Sequence, residues 1–194
     1  MAVQDDIVRF LRSAPSLTRI NFEFRSFRVY PTAYQKDVAD AIASGAVMVR
    51  TKGASSPAAG ASYSINYDSL ELSPAFHIGS IRDQAFLIHE CTHAHLDIQC
   101  TGIQSAHENE AVAYLAEAIF LETLKQPPLG TESIRIVSHR LANMVLAGTY
   151  TVSRVDTDAL VSEVSKHSHY ATTVNYISNG FKRGLVQQIL RNLP

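Results

Sequence analysis

The chain has 194 residues, of which 46% are hydrophobic and 18% are charged, and its formal net charge is −1 at pH 7. This length predicts a single domain over residues 1–194, and the composition is that of a folded globular protein. A net charge near zero gives no reason to expect nucleic acid or an anionic membrane as a partner. The sequence has neither a secretory signal pattern nor an apolar run of about 18 residues, so the cytoplasm is the default location, with signal-independent export as the alternative.

Before residue 51 the sequence predicts two helices and two strands, separated by Gly, Pro and polar residues. In chain order these are a helix at 5–13, a strand at 20–30, a helix at 32–44 and a strand at 46–50. The strand pattern changes face near Ser26, which indicates a bulge or a short turn. Gly45 is typical of the residue that follows the last turn of a helix.

The middle of the chain predicts a loop, a hairpin and a long helix. Residues 51–60 are rich in Gly, Ser, Pro and Ala, which favours a plain connection, with a flap over a functional site as the alternative. Residues 62–66 and 69–73 predict the two strands of a hairpin. The helix that follows spans 81–101 without Gly or Pro, and Ser80 is placed to cap its N-terminus.

The last part of the chain is mostly helical in pattern. Four helices are expected, at 106–124 after a turn centred on Gly102, at 131–147, at 156–166 with Asp156 as the cap, and at 184–192. The predicted fold class is therefore α+β, with a small N-terminal β-sheet packed on a mostly helical body.

One face of the helix at 81–101 carries residues in a pattern typical of a metal-binding site. Positions 89–93 read H-E-x-x-H, and a helix places His89 and His93 on the same face, one turn apart. Their two imidazoles can bind one metal ion, and Glu90 is close enough to act as general base on a water at that ion. Zinc suits two imidazoles plus one carboxylate, because this set leaves a fourth position open for water.

A third protein ligand is expected, because two imidazoles alone do not hold zinc firmly. A three-histidine site is excluded, since Leu96 and Gln99 occupy the positions where Gly and the third His would be needed. The remaining solution takes a glutamate from the helix at 106–124, where Glu108 and Glu110 are the two candidates. Glu110 is preferred because small and aromatic residues follow it, whereas Glu108 lies near the exposed helix start. The two later glutamates, Glu117 and Glu122, are interpreted as part of a solvated helix face.

These residues resemble the gluzincin group of zincin metallopeptidases, in which the third zinc ligand is the Glu of an E-x-x-A or E-x-x-S pattern on the next helix. Both Glu108 and Glu110 begin such a pattern. The resemblance implies a zincin-like fold, one bound Zn²⁺ ion, and hydrolysis of amide bonds in a peptide or protein substrate. The family's usual Asp or Asn one position beyond the pattern is absent, since Val112 or Tyr114 stands there, which leaves the groups that orient the histidines unassigned.

A zinc hydrolase also needs a donor to the oxyanion that forms on the substrate, and His167, His169 and Tyr170 are the candidates. The alternative for these three residues is a polar loop between two helices. No role is assigned to the other histidines, which are His77, His95, His107 and His139. The second functional hypothesis is a catalytically inactive protein that keeps the zincin helices for binding or regulation, and in that case the metal is structural or absent.

Overall fold

Helices and short strands alternate along the part of the chain that the computed structural model describes, which is residues 2–52, 60–99, 101–168, 170 and 175–179. The helices of these residues are α1 (Ala2–Ser13), α2 (Ala39–Ser44), α3 (Ile81–Gln99), α4 (Ala106–Thr123), α5 (Ser133–Leu146) and α6 (Arg154–Lys166). The strands are β1 (Phe22–Phe24), β2 (Phe27–Val29), β3 (Met48–Thr51), β4 (Ala61–Ser64), β5 (Ser69–Leu72), β6 (Thr101–Ser105) and β7 (Asn175–Asn179). The predicted α+β class is thereby confirmed.

The described strands form three small sheets, which corrects the prediction of one small N-terminal sheet. β1 and β2 pair as an antiparallel hairpin, so the change of face near Ser26 is a short turn, with Arg25 in the left-handed region at φ 54°. The second sheet has the order β3-β5-β4, in which β4 and β5 form the predicted hairpin. The third sheet pairs β6 with β7 in antiparallel orientation, where the sequence indicated only a turn around Gly102.

Two helices differ at their starts from the sequence prediction, and a third starts as predicted. The segment predicted as one helix at 32–44 begins as a π-helical stretch, Ala33–Val38, and continues as α2 up to Gly45 at φ 79°. A cap at Asp156 was wrong, because Ser153 caps α6: its Oγ accepts from the backbone N–H of Asp156 at 3.2 Å and donates to the Asp156 carboxylate at 2.7 Å. The Ser80 cap on α3 is confirmed, with Oγ accepting from the N–H of Asp83 at 3.3 Å.

Helix α4 lies at the centre of the described core and positions the site. The side chains of every residue from 109 to 121 are buried, because its Ala and Leu residues pack against α3 on one side and α5 and α6 on others. Ser105 caps its N-terminus by accepting from the N–H of Glu108 at 3.3 Å. A helix buried on all sides holds its polar side chains against other protein groups, and these must find partners there.

Three sequence predictions lie outside the described residues: most of the loop at 51–60 with its flap alternative, His169, and the helix at 184–192. Among the helices that are described, none combines the length and the apolar character needed to cross a bilayer.

Candidate metal centre

His89, His93 and Glu110 meet between α3 and α4, and each offers an atom that could bind a metal ion. The three atoms all lie within 4.8 Å of one another. Oε2 of Glu110 is 3.3 Å from Nε2 of His89 and 3.6 Å from Nε2 of His93. The side chains are only 8%, 11% and 6% exposed for His89, His93 and Glu110. The structure therefore brings the three predicted ligand residues together in a buried cluster.

Glu108 and Glu110, the two candidates for the third metal ligand, point in different directions from the first turns of α4. Glu110 points to the histidines, whereas Glu108 accepts a hydrogen bond from Arg25 in the hairpin turn. Arg25 also donates to Asp158 on α6, so Glu108 belongs to an ion-pair group that joins the β1–β2 turn to α6. Of the two candidates, only Glu110 is part of the cluster.

The His93 support is a chain of neutral amides, formed by Asn109, Gln104 and the carbonyl of Leu96. Nδ1 of His93 donates to Oδ1 of Asn109, in the tautomer that this contact requires. Asn109 then donates to Gln104 Oε1 at 2.6 Å, and Gln104 donates to the carbonyl of Leu96 at 3.4 Å. With Nδ1 engaged by Asn109, Nε2 is the ring atom of His93 that faces Glu110.

The His89 support is charged, and it consists of Glu117, Tyr114 and Arg135. Oε2 of Glu117 lies 3.2 Å from Nδ1 of His89, an ion-pair distance without the alignment of a full hydrogen bond. The Tyr114 ring packs edge-on against the imidazole, with centroids 4.7 Å apart. Interpreting Glu117 as a solvated residue was wrong, since its side chain is 4% exposed. It lies two helical turns beyond Glu110 and so on the same face of α4.

Opposite charges hold the cluster together electrostatically. Burial lowers the pKa of His89, but its contacts with the Glu110 and Glu117 carboxylates outweigh this effect, so that the pKa lies well above its usual value. The pKa of His93 is also raised, because the Glu110 carboxylate outweighs the effect of burial. Burial raises the pKa of Glu110, but the two histidines outweigh it and hold that pKa well below its usual range. Metal binding at such a group displaces protons from the imidazoles.

Glu90 lies beside the cluster and is held by the neighbouring sheet. Its Oε2 accepts from the backbone N–H of Tyr63 on β4 at 2.6 Å, while the Tyr63 hydroxyl donates to Asp97 at 2.8 Å. Burial raises the pKa of Glu90, and the two histidines only partly offset this. A carboxylate with a raised pKa is a stronger proton acceptor, which suits a general base.

His167 and Tyr170 are the two predicted oxyanion donors that the structure describes. Tyr170 is the one that contacts Tyr114, the residue packed against His89. Its hydroxyl is 3.3 Å from that of Tyr114, and burial together with the Glu110 carboxylate raises its pKa. His107, to which no role was assigned, accounts for its position, because Nε2 of His107 donates to the Tyr170 carbonyl at 3.0 Å. His167 packs against the Tyr170 ring, with centroids 5.5 Å apart.

The remaining histidines make contacts away from the cluster. His139 on α5 donates from Nδ1 to Glu122 at 2.8 Å, so Glu122 is a partly buried pairing residue and not a freely solvated one. His95 lies on the other side of α3, where Nε2 donates to the carbonyl of Arg28 at 3.2 Å.

The chain matches no protein-family model, and comparisons with curated proteins and with solved structures found no similar protein. Its class is therefore defined by its own fold and site. It is a mixed α+β protein whose described residues include a buried group of two histidines and one glutamate, close enough together to hold a metal ion.

Proposed function

We propose that this protein is a zinc-dependent hydrolase of the zincin type, which cleaves amide bonds in a peptide or protein substrate. The observation that carries the proposal is the meeting of His89, His93 and Glu110 in one buried cluster with Glu90 beside it. A half-buried carboxylate beside a metal-binding group, oriented by a backbone N–H, is well placed to accept a proton from water.

The distances from Glu110 to the two histidines match those between the ligand atoms of a zinc site. A tetrahedral zinc with bonds of about 2.0–2.1 Å separates its ligand atoms by roughly 3.3–3.5 Å. The distances from Glu110 Oε2 to the two imidazole Nε2 atoms are 3.3 Å and 3.6 Å. In addition, the Nδ1 atoms of both histidines face other protein groups, so both Nε2 atoms are available as ligands.

Each of the residues at the site has a distinct part in the proposed reaction. When bound, zinc polarises the substrate carbonyl and makes water acidic enough to be deprotonated near neutral pH. Glu90 accepts the proton of the attacking water and then donates it to the leaving amine. The backbone N–H of Tyr63 keeps the Glu90 carboxylate oriented, and the hydroxyl of Tyr170 is the candidate donor to the oxyanion. Because burial raises its pKa, this phenol keeps its proton for donation.

The test combines metal analysis with digestion of a peptide library by the purified full-length protein. We expect one zinc ion per chain and hydrolysis that a chelator abolishes. Glu90→Gln should keep the zinc and lose activity by a factor of about 10²–10⁴, because it removes the proton acceptor and leaves the ligands in place. Glu71→Gln is the matched control, since Glu71 on β5 pairs with Lys52 at 3.9 Å and lies outside the cluster.

Two results would contradict the proposal. A wild-type protein that binds no zinc would remove its chemical basis. A protein that binds zinc, but whose activity is the same in wild type and Glu90→Gln, would favour the catalytically inactive alternative, in which the helices serve binding or regulation.

A further inference from the structure

Arg135 on α5 contacts both groups that hold His89 in place. Its Nη1 donates to Oε1 of Glu117, the carboxylate whose other oxygen faces the imidazole. Its guanidinium also lies over the Tyr114 ring, with Cζ 5.3 Å from the centroid, and Tyr114 packs against the same imidazole. One arginine from a third helix therefore contacts both side chains that lie against the His89 imidazole.

The contact between Arg135 and Glu117 joins two charged groups that are largely removed from water. The Glu117 side chain is 4% exposed and that of Arg135 is 14% exposed, so neither charge is well hydrated. A buried carboxylate needs a counter-charge or hydrogen bonds in place of the water it has lost. By pairing with one oxygen of Glu117, Arg135 fixes the direction of the other oxygen, which faces Nδ1 of His89.

We infer that Arg135 is a positioning residue for the metal centre, acting on His89 through Glu117. Among the described residues, its side-chain contacts are with Glu117, Tyr114 and Glu132, and none of these three is a ligand residue of the cluster. The inference rests on the proposed function only in assuming that His89, His93 and Glu110 bind a metal ion. Groups that orient a ligating histidine typically change metal affinity by about 10–100-fold when they are removed, and this range is expected for Arg135.

If Arg135 affects zinc affinity through Glu117, the two substitutions should depend on each other, which a general loss of stability would not produce. If Arg135 acts on His89 only by directing the Glu117 carboxylate, its removal matters little once that carboxylate has been replaced by an amide. The effects of the two substitutions on zinc affinity should then be strongly non-additive, whereas independent effects multiply.

The experiment measures the zinc dissociation constant of the full-length protein by competition with a chromophoric chelator. The variants are Arg135→Met, Glu117→Gln and the double variant. Arg140→Met is the matched control, because Arg140 is on the same helix but pairs with Asp156 on an exposed surface, with its own side chain 58% exposed. The absorption spectrum of the Co²⁺-loaded protein reports the ligand geometry directly in each case.

We expect Arg135→Met and Glu117→Gln each to weaken zinc binding by about 10–100-fold and to change the Co²⁺ spectrum. The double variant should bind zinc within about threefold of Glu117→Gln. Arg140→Met should match wild type within about twofold. Arg135→Lys keeps a charge beside Glu117 and should recover part of the affinity, but not all, because an ammonium cannot reproduce the planar guanidinium over Tyr114.

Zinc affinity and a Co²⁺ spectrum that are unchanged in Arg135→Met would overturn the inference, as would losses that multiply in the double variant. If Arg135→Met does not fold because it leaves Glu117 buried alone, the double variant still decides the matter, since it removes both charges. A double variant that binds zinc much more weakly than Glu117→Gln then rejects the inference. Failure of wild type to bind zinc would reject the proposed function instead, so the two failures are distinguishable.

Discussion

The two histidines of α3 are one turn apart, yet different chemistry orients them. The His89 support places a carboxylate from α4 against the imidazole and an arginine from α5 against that carboxylate. The imidazole and the carboxylate are buried, and the Arg135 side chain is 14% exposed. The His93 support is uncharged, and it leads through Asn109 and Gln104 back to a backbone carbonyl of α3 itself. One histidine is thus tied to the helical core, and the other is tied to the connection between α3 and α4.

This difference shows how one small motif can depend on distant parts of the chain. Charge-assisted contacts are roughly twice as strong as neutral ones, so the His89 support should contribute more to metal affinity than the His93 support. It also couples the site to α5, because Arg135 is anchored there. Substitutions can test whether the His89 support contributes more to metal affinity than the His93 support, and Glu110, which both histidines face, sets the scale.

The largest effect is expected from Glu110→Ala, which removes the carboxylate between the two imidazoles. Zinc affinity should fall by more than the roughly 100-fold that marks the upper range for groups that only orient a ligand. Glu108→Ala provides the control on the same helix, because that side chain pairs with Arg25 and does not face the cluster. Calorimetric zinc titration of both variants checks the prediction. Equal losses in the two would show that the glutamate was assigned wrongly.

Glu117→Gln should produce the next largest loss, about 10–100-fold in zinc affinity. Glutamine keeps the shape of the side chain but not its charge, so His89 loses the carboxylate at Nδ1 and Arg135 loses its counter-charge. Competition titration gives the affinity, and chemical denaturation of the metal-free protein gives the accompanying change in the free energy of unfolding. An affinity equal to that of wild type would mean that the charge of Glu117 does not act on His89.

Asn109→Ala should weaken zinc binding less, by roughly 2–10-fold, since a neutral hydrogen bond is worth about 0.5–1.5 kcal/mol. Its removal leaves Nδ1 of His93 without its acceptor and Gln104 without its donor. The same titration applies here. The ranking of the two supports would be reversed if Asn109→Ala cost more affinity than Glu117→Gln.

The smallest effect on metal binding is expected from a change on the side of α3 that packs against the π-helical stretch. Tyr34 in the π-helical stretch shares a hydrogen bond of 2.8 Å with Thr92, whose hydroxyl also donates to the carbonyl of Ile88. Tyr34→Phe should lower the free energy of unfolding by about 0.5–1.5 kcal/mol. Zinc affinity should stay within about twofold of wild type, because the contact does not reach the histidines. A large loss of zinc would show that both faces of α3 are coupled.

The elements that sequence could predict are those with strong local signals. Helices α3, α4 and α5 follow from caps and long uninterrupted segments, and the β4–β5 hairpin follows from two short alternating runs. Strand β6 was missed because its partner β7 is far away in the chain, and nothing local distinguishes such a strand from a turn around Gly102. The three separate sheets likewise depend on long-range pairing that periodicity cannot specify.

The candidate site divides in the same way. The spacing of His89 and His93 and the small residues around Glu110 are local, so all three predicted ligand residues lie in the cluster. Glu117 was missed because a helix buried on every side gives no contrast between a carboxylate that faces the core and one that faces solvent. The signal that could have found it is its position two turns beyond Glu110, on the same face. Asn109 was missed because a residue next to a ligand is expected to point elsewhere on a helix.

Anomalous diffraction at the zinc absorption edge, from crystals of the wild-type protein grown with zinc, tests the proposed metal site directly. We expect one anomalous peak between α3 and α4, about 2.0–2.2 Å from Nε2 of His89, Nε2 of His93 and a carboxylate oxygen of Glu110. Crystals with no peak at that position, or with the two imidazoles turned away from each other, would contradict it.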